Sequence, residues 1–310
     1  MFDSPLSASA YEVLQVAPTA DDEALRKAYR LRLRQTHPDT GGDAAMFIQV
    51  QRAWELVGSA AARAAYDRGH GFGQDPVHPD AAAQWSGWRA PAPRTDTRPR
   101  ARSQGKPGGR RREQYLGLIR EWAGRGVELP DPYDPALVRR APLQIRRLLA
   151  DALAEEATAR IVADLGMGYT VWHDVAAGRH PDEKIDHIVL APSGLYGILS
   201  EDVGGPVHVR RGELVGDAVA GTPIADLIAG IRTVSRAARV RFGAAIVVVP
   251  DDDVVHPIDE LGKVRGMRTV VCARSALPRL LRLGVTGARE IGGNEIFDVR
   301  TRLNQTVRFA

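Results

Sequence analysis

The spacing of apolar positions changes along this chain. Over about the first seventy residues it is helical. Leu25, Tyr29 and Leu33 recur every four residues and form an apolar stripe, while Arg26, Arg30 and Arg34 form a basic stripe on another face of the same helix. Asp21, Asp22 and Glu23 put negative charge on the first turn, where the peptide dipoles favour it, and Thr19 or Asp21 can serve as the cap. Pro38 disfavours the helical conformation at His37, so the helix ends there. Gly41-Gly42 supplies a turn, and Phe47, Val50, Ala53, Trp54 and Val57 give the next helix a period of three to four. The pattern predicts two antiparallel helices with His37-Pro38-Asp39 exposed at their tip. Tyr11, Val13 and Leu14 predict a short first helix, and Ala61 to Asp67 a short fourth.

From Gly69 to Arg112 no apolar period appears. The segment is rich in Gly, Pro, Arg and Gln, and carries Arg94, Arg98, Arg100, Arg102, Lys106, Arg110, Arg111 and Arg112. Such a stretch buries too little apolar surface to offset its ordering entropy, so residues 71–112 are expected to be a disordered basic linker. It would be a solvated tether or, alternatively, a source of weak attraction to nucleic acid. Trp85 and Trp88 are expected to be exposed there. Residues 113–142 read as a connecting helix from Glu113 to Trp122 followed by a Pro-rich turn.

Past residue 143 the reading becomes α/β. Leu143 to Leu165 is a long helix; Tyr169 to Val175, Ile185 to Leu190 and Leu195 to Leu199 are strands, the last two joined by Pro192-Ser193-Gly194. Val207 to Val209 and Glu213 to Val215 are short strands, and Pro223 to Val240 a helix. Ala244 to Val249 is apolar throughout, as in a sheet covered on both faces. Thr269 to Cys272 is a further strand, and Ser275 to Leu283 a helix capped by Ser275. Residues 286–310 read as a C-terminal tail.

Composition adds bounds. The 310 residues leave room for two domains, and 44% hydrophobic content can supply a core. The formal charge of +4 is modestly basic. Cys272 has no partner within the chain, which fits a reducing compartment. With no leader-like segment and no apolar run of spanning length, a cytoplasmic protein without a membrane is expected. His180, His187, His208 and His256 lack metal-ligand spacing, so they are read as structural or surface residues. No metal and no cofactor is expected.

Tyr11-Glu12-Val13-Leu14, Leu25-Arg26-Lys27-Ala28-Tyr29-Arg30, His37-Pro38-Asp39, Phe47, Ala53-Trp54 and Arg63-Ala64-Ala65-Tyr66-Asp67 together resemble the J-domain of DnaJ-type co-chaperones, over residues 8–70. The resemblance implies that the tip and the basic helix face engage a DnaK-type ATPase chaperone and stimulate its ATP hydrolysis. His37, Pro38 and Asp39 would be the essential triad, and Arg26, Lys27 and Arg30 the basic contact face. In the family a basic residue commonly follows the Tyr29 position by two and a Leu by three; this chain has Leu31 and Arg32, the reverse. Gly71-Phe72-Gly73 is too short for a Gly/Phe-rich region, and there are no CxxC repeats for a zinc module.

Residues 143–285 resemble the NERD nuclease-related domain, of restriction-endonuclease-like type. The resemblance rests on Glu155-Glu156, Ile185-Asp186-His187-Ile188-Val189, Gly194-Leu195-Tyr196-Gly197-Ile198 and Gly204-Gly205. It implies a metal held by carboxylates and a Lys near the phosphate. Asp186 matches the first acid and Glu156 the helix-borne one. The acid-x-Lys falls on Leu199 and Glu201, which cannot fill those roles. A slipped alignment offers Glu201 or Asp202, and Lys184 could supply a migrated positive charge on the face of Asp186. Glu156, Asp186 and Glu201 are therefore vestigial-site candidates, with no catalytic residue assigned. The expected whole is a co-chaperone whose nuclease-like domain selects an unknown client protein or a location. The alternative is a metal-dependent DNA-acting nuclease or nucleic-acid-binding protein coupled to a DnaK-type chaperone.

Overall fold

The computed structural model describes residues 4–70, 72, 88–89, 99–124, 126, 128–178, 180, 182–216 and 219–310. It divides into two compact units, residues 1–91 with 118–146, and residues 92–117 with 147–310.

The first unit opens with α1 (Ala10–Leu14) and α2 (Asp22–Thr36), a 3-10 turn (Pro38–Thr40), α3 (Ala44–Val57) and α4 (Ala60–His70). Ser9 and Glu12 cap α1 reciprocally, and Asp21, not Thr19, caps α2 by accepting from the Ala24 N–H. Leu25, Val50, Ala53 and Val57 pack with Tyr11, Leu14 and Tyr66 as the core. Tyr29 stacks on Trp54 with ring centres 4.5 Å apart. The fourth helix is longer than expected and closes the unit. Tyr66 accepts from the Ala10 N–H, Tyr11 donates to Asp67, and Arg63 donates to the carbonyls of Pro18 and Ala20. Phe72 lies edge-on to Tyr11 at 5.2 Å, and the Arg139 guanidinium covers the Phe72 ring at 4.1 Å. Trp88 is buried, against the expectation of an exposed tether residue. Trp85, Arg94 and Arg98 lie outside the described residues.

The expected linker ends earlier than residue 112. Residues Arg102–Gln104 form β1, and α5 (Gly109–Ala123) starts within the supposed tether. After α6 (Pro135–Arg140) and α7 (Leu143–Ala163) come β2 (Thr170–Ala176), β3 (Lys184–Ala191) and β4 (Gly194–Ser200). A small hairpin, β5 (His208–Arg210) and β6 (Glu213–Val215), precedes α8 (Pro223–Ala238). Then follow β7 (Ala244–Val249), β8 (Ile258–Val264), β9 (Met267–Ala273), α9 (Leu277–Leu283) and α10 (Glu295–Thr306). The seven-stranded sheet has the order β1-β2-β3-β4-β7-β9-β8. β2, β3 and β4 are an antiparallel meander, and β4, β7 and β9 run parallel.

The sheet is covered on both faces, as the unbroken apolar run of β7 requires. Ala244, Ile246 and Val248 face a core that includes Leu277 and Leu281 of α9; Ala245, Val247 and Val249 face Ile224, Ile228 and Ile231 of α8. Cys272 is buried in β9 as expected. Two expectations fail here. Residues 286–310 are no tail, because Val299 and Leu303 of α10 enter the core and Phe309 bridges to Val175. Ser275 does not cap α9: it sits in a 3-10 turn and donates its N–H to Asp251. Among the described residues no helix is long and apolar enough to cross a membrane.

Candidate functional site

Two groups of residues stand out, one in each unit. In the first unit the chain leaves α2 at His37 in an extended conformation, as Pro38 demands. His37 then caps the 3-10 turn: its Nδ1 accepts from the Asp39 N–H at 3.2 Å, which places the ring proton of a neutral imidazole on Nε2. The His37 carbonyl accepts from Thr40 and Gly42, and the Thr40 hydroxyl donates to the Arg34 and His37 carbonyls. Gly41 has φ 82°, open to glycine at little cost. Gly42 is needed for a different reason, since a Cβ there would stand 2.3 Å from the Thr36 carbonyl carbon. The His37 ring rests edge-on against Phe47 at 5.0 Å. The Asp39 side chain is 88% exposed and the His37 side chain 41%. The tip is thus a hydrogen-bonded turn that offers an imidazole edge, a proline ring and a carboxylate to solvent. Arg26, Lys27 and Arg30 are exposed on α2, as the stripe predicted.

In the second unit the charged residues converge on Lys184. Its buried ammonium lies 2.7 Å from Glu155, 2.9 Å from Asp174 and 2.8 Å from Asp186. The other Asp186 oxygen accepts from the Ser200 N–H. Asp174 has φ 55°, a left-handed conformation that Asp tolerates better than most residues. Beside the cluster opens a cavity of about 930 Å3, lined among others by Arg111, Lys184, Asp186, Leu199, Glu201 and Asp226. Burial, then Asp186, pushes the Glu155 carboxyl up to about 8. Burial, then Asp151 and Asp186, does the same to Glu201. The three carboxylates hold the Lys184 ammonium well above its usual value despite burial.

Of the sequence candidates, the structure brings Asp186, Lys184 and Glu201 to one cleft. It removes Glu156, which points to Arg112 instead in a buried bidentate pair at 2.6 and 2.8 Å. The helix-borne acid that meets Lys184 is its neighbour Glu155, buried behind the cavity and not lining it. Asp202 accepts from the Gly204 N–H and does not line the cavity. Among the described residues no group of three His, Cys, Asp or Glu side chains is arranged to hold a metal ion. The basic residues described between 99 and 112 are largely engaged: Arg100 with Asp164, Lys106 with Glu113, Arg110 with Asp182 and Arg111 with Asp151. The reading of this stretch as a free basic tether is corrected accordingly.

Sequence reasoning missed Asp174 and His173. His173 and His187 face each other across β2 and β3, with Nδ1 atoms 2.8 Å apart. Their far nitrogens reach Ser103 of β1 and Ser200 of β4, and Ser200 donates to Thr158 of α7. Burial lowers His173 to about 4 and His187 well below its ordinary value. His187 is structural, while His180, His208 and His256 are exposed.

Comparison with known proteins bears on the N-terminal helices. Residues 9–67 match the DnaJ domain model. The chaperone protein DnaJ of Bordetella bronchiseptica is 43% identical over 76 residues, covering 23% of this chain and 20% of that one. The DnaJ of Thermosynechococcus vestitus is 40% identical over 79 residues, covering 24% and 20%, and that of Cereibacter sphaeroides 43% over 65 residues, covering 19% and 17%. The chain therefore spans about a fifth of the length of these relatives. The N-terminal helices are a DnaJ domain.

Proposed function

We propose that this protein is a co-chaperone that stimulates the ATPase of a DnaK-type chaperone through the tip of its DnaJ domain, and that its second unit selects a client or a location without cutting nucleic acid. The observation that carries the first part is the turn at His37-Pro38-Asp39. Its backbone is satisfied internally, while its ring and carboxylate are left outward beside the basic α2 face. Groups held rigid and exposed at no benefit to the core are those a partner can read. The test is single-turnover ATP hydrolysis by the DnaK-type chaperone with wild type, His37→Gln and Asp39→Asn. Stimulation by wild type alone is expected; equal stimulation by both variants would sink the assignment.

For the second unit we favour a restriction-endonuclease-like ancestry of the NERD type, supported by the helix followed by a three-strand meander and by Glu155 and Asp186 meeting at the Lys184 ammonium. The Lys184 ammonium takes the carboxylate oxygens that a divalent cation would need. An alternative nuclease reading draws on the same cleft, with Lys184 serving as the cation that the Leu199-to-Glu201 stretch lacks.

A further inference from the structure

We propose that Leu31 is an apolar anchor within the basic face of α2 and helps decide which DnaK-type ATPase this chain engages; the inference rests on the co-chaperone reading above. The inward side of α2 is made by Leu25, Tyr29, Leu33 and Thr36, with Arg32 beside them. Leu25 and Thr36 are buried and Tyr29 stacks on Trp54. Arg32 is half-buried: its Nε donates to the Val13 carbonyl near the end of α1, and its Nη1 donates to Gln35. With residue 32 turned inward and engaged, residue 31 is turned by the 100° helical step onto the outward face.

Leu31 is 53% exposed there. Its neighbours at i−4 and i+3 are Lys27 and Arg34, both exposed. Among the described residues, Arg26, Lys27, Arg30 and Arg34 form no ion pair or side-chain hydrogen bond with the rest of the chain. The surface therefore presents unpaired cations around one aliphatic side chain. The complement is an acidic surface with a small apolar depression. The face runs continuously into the His37-Pro38-Asp39 tip on the same helix end, so both belong to a single contact.

The two components of such a contact are separable. Attraction between exposed charges is screened by salt, with a Debye length of about 10 Å at 0.1 M. Burial of an aliphatic side chain is insensitive to moderate salt, and burying the exposed part of one Leu is worth roughly tenfold in affinity. An Arg at position 31 would leave a guanidinium facing an apolar depression, which discriminates against the partner rather than helping it.

The experiment titrates full-length protein against the DnaK-type chaperone of the same cell and reads single-turnover ATP hydrolysis at low and at high salt. It compares wild type, Leu31→Ala, Leu31→Arg, Arg30→Glu and Asp39→Asn, each with its melting temperature measured. Leu31→Ala is expected to raise the half-maximal concentration roughly tenfold at both salt levels with melting unchanged. Leu31→Arg should be at least as weak, and the Arg30→Glu penalty should shrink as salt rises. If Leu31→Ala matches wild type while Asp39→Asn is inactive, the anchor is disproved and the co-chaperone reading stands. A Leu31→Ala penalty that vanishes at high salt also overturns the anchor. Failure of wild type to stimulate overturns the co-chaperone reading and the anchor together.

Discussion

Carboxylates outnumber cations in and beside the cleft of the second unit, and burial with mutual repulsion favours the protonated form of two of them. Glu155 and Glu201 are pushed up to about 8 from an ordinary 4.5. Between those values the folded state holds protons that the unfolded chain has released, so stability falls as pH rises through the interval. The buried imidazoles act oppositely. His173 is lowered to about 4 from 6.5 and His187 follows, so the unfolded chain gains protons below about 6.5 and stability falls as pH drops toward 4. Burial also raises Asp151 to about 6 and Asp253 to about 7, so the imidazoles offset the carboxyls only in part below 6.5, and the carboxyl effect alone remains above. The melting temperature of the second unit should therefore fall gently from pH 5 to pH 6.5 and decline further by pH 8. Glu201→Gln, which keeps the shape and removes the charge, should raise melting at pH 8 by about 2–4 °C and change it little at pH 5.5. Calorimetry on both proteins checks this, and a melting temperature that climbs between pH 6.5 and pH 8 would contradict it.

At the scale of elements, what the sequence conveyed tracks the strength of each local signal. The α2–α3 hairpin, the β2–β3–β4 meander and β7 were legible because each carries a strong period or an unbroken apolar run. β1 was not, since Arg102-Ser103-Gln104 has no apolar pattern and becomes a strand only by pairing with Thr170-Val171-Trp172. α10 was missed because Val299 and Leu303 are the only deeply buried positions on an otherwise polar helix. At the cleft, strand spacing placed Lys184 beside Asp186, but adjacent Glu155 and Glu156 could not be told apart without knowing which side of α7 meets the sheet. The missed elements change what counts as a folding unit. A fragment starting at Leu143 lacks β1 and Arg112, leaving Glu156 buried and unpaired. It should be strongly destabilised by circular dichroism, whereas one starting near residue 99 should melt cooperatively. Arg112→Ala in the full chain should cost about 3–5 kcal/mol, measured by denaturant unfolding. Joint replacement of Arg112 and Glu156 by Leu should recover most of that loss, and an Arg112→Ala protein as stable as wild type would mean that the pair contributes nothing.

For the molecule as a whole, the decisive division is between a DnaJ domain with an exposed tip and a sheet domain whose Lys184 ammonium is already shared among carboxylates. Metal-assisted hydrolysis needs carboxylates free to bind a hard cation and a positive group free to meet the phosphate. Here Glu155, Asp174 and Asp186 already share the Lys184 ammonium, and Leu199 stands where the strand would carry an acid. Cleft residues Asp182, Glu183, Asp186 and Asp226 outnumber Arg111 and Lys184 even with Glu201 protonated, so a phosphodiester entering would meet net repulsion. Purified full-length protein should leave single- and double-stranded DNA uncut in magnesium or manganese, at the level of an Asp186→Ala control. Lys184→Ala tests the same point from the other side: it leaves three carboxylates without their cation, so the melting temperature should drop sharply in chelator. If added manganese then restores melting while wild type shows no such response, the ammonium has been standing in for a metal ion. Metal-dependent cutting by wild type that disappears in Asp186→Ala would instead make this an active nuclease, with Lys184 as its relocated cation.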